Sequence, residues 1–351
     1  MIDFSIVVRT AVTLAIATFG GTLFGLLGLP AGWLTGGMIA VAIAAMAKVP
    51  VAVPVAVRNV AFVVIGSFLG TSVSPELVSQ LPHWPLSMAA LVLNVFLVQW
   101  AAEVFLRRFC RWDRQTAFFA AIPGVTSYVI ALALPTKADI SRIAVSQTIR
   151  VFLLVLIMPN FLSAVGGAVA IRPQVIGSAF DVIATLAAGA VAGTLFSFVG
   201  IPAAPMIGAM VASGALHGAG WLHGGLPLFV QIPVYLALGA MIGSRFAGTS
   251  PRTLLAMLGP SFGSFAISIA IGLFGAWLTY LAVGLPFAQV LLAFAPGGID
   301  VMTTVAFAMN LDSAFVAAHQ LGRFIFITIY TPLVLARMGG SGQPPQTDEP
   351  A

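Results

Sequence analysis

Charge is what this chain lacks most. Only 7% of its 351 residues are Asp, Glu, Lys or Arg, against about 25% in a soluble domain. With 60% hydrophobic residues and a mean hydropathy of +1.08, the apolar surface exceeds what one core can bury, and lipid is the simplest solvent for it. Cysteine is nearly absent. Cys110 stands alone, which excludes a disulfide framework and a cysteine-based metal site. Its neighbours Arg107, Arg108, Arg111 and Arg114 could favour a thiolate, although an inert loop thiol is the plainer reading. Histidine is sparse and scattered, at His83, His217, His223 and His319, so neither a metal nor another cofactor is expected. The net charge of +5 is spread between apolar runs rather than gathered on one face. No segment is long and polar enough to be a nucleic-acid reader, so direct nucleic-acid binding is not expected.

What the chain does have is repetition. Gly21-Thr22-Leu23-Phe24, Gly28, Pro30, Gly36 and Met38 return as Gly193-Thr194-Leu195-Phe196, Gly200, Pro202, Gly208 and Met210, an offset of 193 − 21 = 172. Pro123, Gly124, Asp139, Gln147, Arg150 and Pro159 return as Pro296, Gly297, Asp312, Gln320, Arg323 and Pro332, an offset of 296 − 123 = 173. Register kept over that length implies two copies of one unit, and in an apolar chain that means a membrane architecture. The expected domains are repeat 1 over 1–172, repeat 2 over 173–338 and a disordered tail over 339–351, which is rich in Gly, Pro and Gln.

Apolar stretches fall near 8–27, 31–48, 54–71, 86–106, 115–134 and 141–164, then 176–199, 203–219, 229–246, 254–282, 286–308 and 312–336. The first is read as a membrane helix rather than a signal peptide, because it has a counterpart in the second copy and lacks a clear cleavage site. Pro30 and Pro202 should begin the helices that follow them. Asp139 and Asp312 should cap helices. The six tryptophans read mostly as interface anchors. The most basic loop, 107–114, is assigned to the cytoplasm. Its counterpart at 283–287 is uncharged, whereas Arg245 and Arg252 fall where copy one has no basic residue. Basic residues thus change sides between copies, as in an inverted-topology repeat. Six crossings per copy would leave the copies parallel. One re-entrant segment per copy removes the conflict, either the short helix after Pro30 or Pro202 or the Pro-Gly segment. The fold class is therefore an all-α polytopic membrane protein with 10–12 transmembrane segments in two tandem repeats. Its topology is inverted and transporter-like, with broken helices.

Those breaks are the candidate site. Pro123 and Gly124, followed by Thr126 and Ser127, interrupt one apolar segment; Pro296, Gly297 and Gly298 interrupt its counterpart, followed by Asp300. Proline removes a helical hydrogen bond and glycine loosens the backbone. Groups freed in lipid must be satisfied by protein or water. Asp300 is costly at membrane depth and is a candidate proton or sodium site, with an ion pair to Arg323 as the alternative. The next helix in each copy carries Gln147 and Arg150, or His319, Gln320 and Arg323. Glutamine and arginine three apart share a face. Each arginine either caps the broken backbone or flanks an anion. His319 is a candidate proton relay, with simple hydrogen bonding as its alternative. Glu103 and Arg107 read as a local pair, and Asn94 as a bond between helices.

Gly28 to Met38, the Pro-Gly-Gly segment at Pro296, and the run Ala317-Ala318-His319-Gln320-Leu321-Gly322-Arg323-Phe324 together resemble the AbrB family of bacterial inner-membrane proteins. That family is distinct from the small DNA-binding regulator of the same name. The resemblance implies a duplicated hydrophobic region, a secondary-transporter-like fold and a location in the inner membrane. Its members carry the labels of regulators of gene expression and, formerly, ammonia monooxygenase. Scattered histidines fit the second label poorly. The expectation is a non-enzymatic carrier of a small solute, an organic anion being one candidate, coupled to sodium or protons. The other reading is a membrane sensor that acts on gene expression without transport. Homo-oligomerisation is left open by the sequence.

Overall fold

The computed structural model describes residues 4–71, 84–124, 126–165, 176–198, 200, 203–309 and 311–337. The expectations for Pro202, His83 and the 339–351 tail lie outside the described residues, as does the side chain of Ser127. The described residues form α-helices and no strand: α1 Phe4–Leu26, α2 Gly32–Met46, α3 Val55–Gly70, α4 Trp84–Arg108, α5 Arg114–Ala121, α6 Thr126–Ala133 and α7 Ile140–Val165, then α8 Ala179–Ser197, α9 Ala204–Gly218, α10 Leu228–Ser244, α11 Pro251–Val283, α12 Phe287–Phe294, α13 Ile299–Ala308 and α14 Ser313–Arg337.

Five of these, α1, α4, α7, α8 and α11, are long and apolar enough to cross a membrane. Their flanks put large apolar side chains outside: Phe19 is 74% exposed, Phe180 73% and Leu255 70%. Rings turned outward on this scale belong in lipid, and the protein is membrane-embedded. The shorter helices α2, α3, α9 and α10 lie inward. α2 packs on α1 and α10, and α9 packs on α8 and α3. Glycine permits the close approach. A Cβ on Gly66 of α3 would lie 2.1 Å from the Met206 carbonyl of α9, and one on Gly239 of α10 would lie 2.5 Å from the Leu34 carbonyl of α2. Asn94 bridges α4 and α11 by donating to the Ile271 carbonyl at 3.0 Å.

Capping sets many of the boundaries. Asp113 accepts from the Thr116 N–H at 2.9 Å, Asp139 from Arg142 at 3.0 Å and Asp312 from Phe315 at 3.0 Å, each satisfying an orphan first-turn donor. Pro30 departs from expectation. It lies within the turn between α1 and α2, and the helix begins at Gly32 after Ala31, which adopts φ 51°. The reversal uses Gly28 at φ 67° and Ala31; Gly200 at φ 72° and Ala203 at φ 54° do the same between α8 and α9. Two tryptophans also depart from the anchor role. Trp112 is buried, and Trp33 packs against Gly25. Trp100, Trp221 and Trp277 are exposed.

The Pro-Gly segments do not make kinked rods. Gln115 and Thr116, at the start of α5, accept from the backbone N–H groups of Lys137 and Asp139 at 3.0 and 2.8 Å. A continuous rod from Thr116 to Ala133 would be about 25 Å long, and the four residues on to Lys137 reach at most about 14 Å. Helices α5 and α6 therefore fold back on one another as a helical hairpin whose tip is the Ile122–Gly124 turn. Gly124 stands at φ 136°, a conformation that favours glycine. The second pair behaves alike: Gln289, at the start of α12, reaches Asp312, at the start of α14, at 3.4 Å. Each interrupted span of the sequence reading is thus a hairpin. Proline at the break ends the first half-helix of each pair.

Candidate functional site

The two hairpin tips meet in the interior. Pro123, Gly124, Gly297, Gly298, Gln320 and Arg323 enclose a space of about 10 Å³ between them. Behind each tip stands an arginine. Arg150 on α7 is 4% exposed and donates through Nη2 to the Ile122 carbonyl at 2.9 Å and through Nη1 to the Ala120 carbonyl at 3.4 Å. Gln147 donates to the Phe119 carbonyl at 3.1 Å. Arg323 on α14 is 2% exposed and donates to the carbonyls of Ala295 and Gly297 and to the Gln320 side chain. Gln320 itself donates to the Leu292 carbonyl at 3.0 Å.

These carbonyls belong to the last turns of α5 and α12, at Phe119, Ala120 and Leu292, or to the break just beyond, at Ile122, Ala295 and Gly297, and have no helical partner. The guanidiniums satisfy them and sit at the negative ends of two helix dipoles. Of the two alternatives for Arg150 and Arg323, the structure thus contains the backbone cap. The described ion pairs are Arg107–Glu103 and Arg142–Asp139, each at 3.2 Å; neither involves Arg150, Arg323 or Asp300. In α7 the fit is looser, since Gln147 Oε1 and Arg150 Nε have no partner.

In front of the tips lies a larger cavity of about 980 Å³. Gly124, Thr126 and Tyr128 line it from the first hairpin, and Gly298, Ile299 and Asp300 from the second. Thr148 and Val151 add the α7 side. Arg58 and Asn59 of α3, with Ser244 and Arg245 at the end of α10, complete a polar wall. Asp300 sits in the first turn of α13, where the dipole favours a carboxylate. Its carbonyl accepts from Thr304 at 2.5 Å.

The cavity therefore gathers Gly124, Thr126, Gly298 and Asp300 of the sequence-predicted set. Gln320 and Arg323 line only the small space between the tips, with Pro123 and Gly297. Pro296, Gln147 and Arg150 are buried behind it. His319 stands apart: it is bonded to the Ser87 hydroxyl at 2.8 Å and the Phe315 carbonyl at 2.9 Å, and packs beside Trp84. Sequence reasoning missed Arg58 altogether. An available signal was its position inside an apolar span, where an ionisable residue is unusual. It also read Arg245 only as a loop charge, although it lines the cavity.

The family described as "Transition state regulatory protein AbrB" matches residues 33–339. The chain belongs to the AbrB family. Similar proteins include "Uncharacterized protein YhjN" of Bacillus subtilis (strain 168), 27% identical over 91% of this chain and 90% of that protein. "Putative regulator AbrB" of Escherichia coli (strain K12) is 26% identical over 87% of this chain and 89% of that protein. No solved structure matches. The AbrB-family match takes in both arginines, both hairpin tips and the cavity wall.

Proposed function

We propose that this AbrB-family protein is a secondary carrier of a small solute in the bacterial cytoplasmic membrane, built from two inverted copies of one unit. The observation that carries this reading is the cavity of about 980 Å³ that ends at two hairpin tips. Irregular backbone at membrane depth is tolerated where it is buried in protein or lines a water-filled cavity. Paired interruptions at matching positions of two copies are the best sequence pointer to a carrier site.

Inversion is supported by the directions of matched helices. Arg58 near the start of α3 and Arg245 at the end of α10 line one cavity. Phe68 near the end of α3 and Tyr235 in the first half of α10 both meet the ring of Phe307. Counterpart helices α3 and α10 thus run in opposite senses. Counting each hairpin as re-entrant leaves five crossings per copy, and an odd number inverts the second copy. On this trace Arg9, Lys48, the 107–114 loop, Lys137, Arg142, Arg245, Arg252 and Arg337 fall at one end. Among the described residues the other end carries no lysine or arginine. The positive-inside rule makes the basic end cytoplasmic, and the cavity opens toward it.

In this carrier the arginine-capped tips are rigid, Thr126 offers a hydrogen bond to the solute, and Asp300 holds the coupling sodium ion or proton. The regulatory name of the Escherichia coli relative is compatible with an indirect effect through the solute carried. The test has two stages. An untargeted metabolite comparison of cells with and without the gene nominates the solute. Uptake into proteoliposomes should then depend on a sodium or proton gradient, and Asp300→Asn should remove that dependence. Uptake that ignores both gradients, or stays coupled in the variant, takes Asp300 out of the mechanism. No uptake of any nominated solute, with reporter regulation surviving Asp300→Asn but lost on neutralising the 107–114 loop, would favour the sensor reading instead.

A further inference from the structure

Four half-helices converge on the centre of this protein, and their ends are treated differently. The C-terminal ends of α5 and α12 are filled from within by Arg150 and Arg323. The N-terminal ends of α6 and α13 are left to the cavity, where Thr126, Ile299 and Asp300 form part of its floor. First-turn N–H groups lack helical partners and carry partial positive charge. Arg58 and Arg245 form part of the wall, both on exposed side chains. Arg58 donates to the Asn59 side-chain oxygen at 3.4 Å and lies over the Phe62 ring at 6.0 Å, and neither contact neutralises it. Asp300 is the sole acid among the lining residues. The cavity therefore holds two guanidiniums and two positive helix ends against one carboxylate. Beside them lie Val53, Val55, Phe62, Met241 and Phe324, an apolar surface that an inorganic anion would not use.

We propose that Arg58 and Arg245 are the anion-recognising residues of this cavity, and that its ligand is an amphipathic organic carboxylate. The ligand's carboxylate lies toward the two guanidiniums and its apolar body toward Phe62 and Phe324. Arg150 and Arg323, which the sequence singles out, do not touch it. Planar guanidinium suits carboxylate through paired hydrogen bonds. Asp300 opposes a second negative group, so a cation or proton bound there strengthens carboxylate binding. This inference rests on the carrier reading only for its biological meaning, since binding can be measured without transport.

The experiment uses the full chain in nanodiscs and reads calorimetric affinity and thermal shift. The probes are phenylacetate and 4-methylvalerate, their neutral amides, and inorganic phosphate. Both carboxylates should bind and raise Tm, and the amides should bind at least tenfold more weakly. Arg58→Gln and Arg245→Gln should each weaken carboxylate binding about tenfold or more, the loss of one charge-assisted contact. Both sites are exposed, so the variants should keep the wild-type Tm without ligand. Asp300→Asn should tighten carboxylate binding at neutral pH. Equal affinity for acids and amides, wild-type affinity in both arginine variants, preference for phosphate, or no response to any probe would each overturn the proposal. Carboxylate binding that depends on both arginines, with no uptake in proteoliposomes, would uphold it while removing the carrier reading. Uptake untouched by either substitution would do the reverse.

Discussion

Arg150 and Arg323 sit at a depth where a charge costs about 2.5–3.5 kcal/mol on insertion scales. Carbonyls at the ends of α5 and α12 offset that cost. Removing either guanidinium strands carbonyls in a dry interior, at about 1–3 kcal/mol for each unsatisfied group. Arg150→Ala should therefore lower Tm by several degrees even where no ligand is present. A variant as stable as wild type would mean that water takes over the cap. Gly124→Ala should also destabilise, because φ 136° is strained for any residue with a Cβ. Gly298→Ala meets no such strain, since Gly298 stands at φ −82°; an added Cβ would instead press on the free end of Asp300, which can move. Cys110 gives a chemical check. Burial pushes its thiol above the ordinary value, so at neutral pH the thiolate is scarcer than in a free cysteine. Maleimide labelling should be slow near pH 7 and should quicken as pH rises past the usual thiol range. Rapid labelling at neutral pH would mean that the neighbouring arginines win.

Among the elements, the hairpins were half legible. Pro123-Gly124 and Pro296-Gly297 marked the interruptions, because proline cannot continue the hydrogen-bond ladder. Whether the chain then continues or turns back depends on contacts across 20 or more residues, such as Thr116 with Asp139. No local pattern encodes those. Cysteines placed at the exposed positions 114 and 137, in a Cys110→Ser background, should react with an impermeant reagent from the same side of the membrane. Labelling from opposite sides would restore the straight broken span. Helix packing offers a second check. Gly239→Leu should abolish folding of the α2–α10 pair, since even a Cβ meets the Leu34 carbonyl at 2.5 Å. Expression and monodispersity after extraction report the loss.

At the scale of the molecule, the asymmetry of charge predicts an orientation. Reporter fusions at the 107–114 loop and after Arg337 should read as cytoplasmic, and a fusion in the 219–227 segment should read as periplasmic. A periplasmic signal at 107–114 would reverse the trace and the side on which the cavity opens. α2 meets α10 while α3 meets α9, and the αL residues Ala31 and Ala203 recur in matching turns.

The amino-acid order alone determined the membrane setting, the caps at Asp139 and Asp312 and the interruptions at Pro123 and Pro296, because apolar run length, caps and proline are local properties. It also marked Arg150 and Arg323 as buried, from their depth along an apolar run. Tertiary structure decided what those arginines do, since a guanidinium bonds whichever acceptor folding brings to it, and here that acceptor is backbone. It decided as well that Arg58, Arg245 and Asp300 share one cavity. They lie on three helices far apart in sequence, and only the crossing of α3, α10 and α13 brings them together.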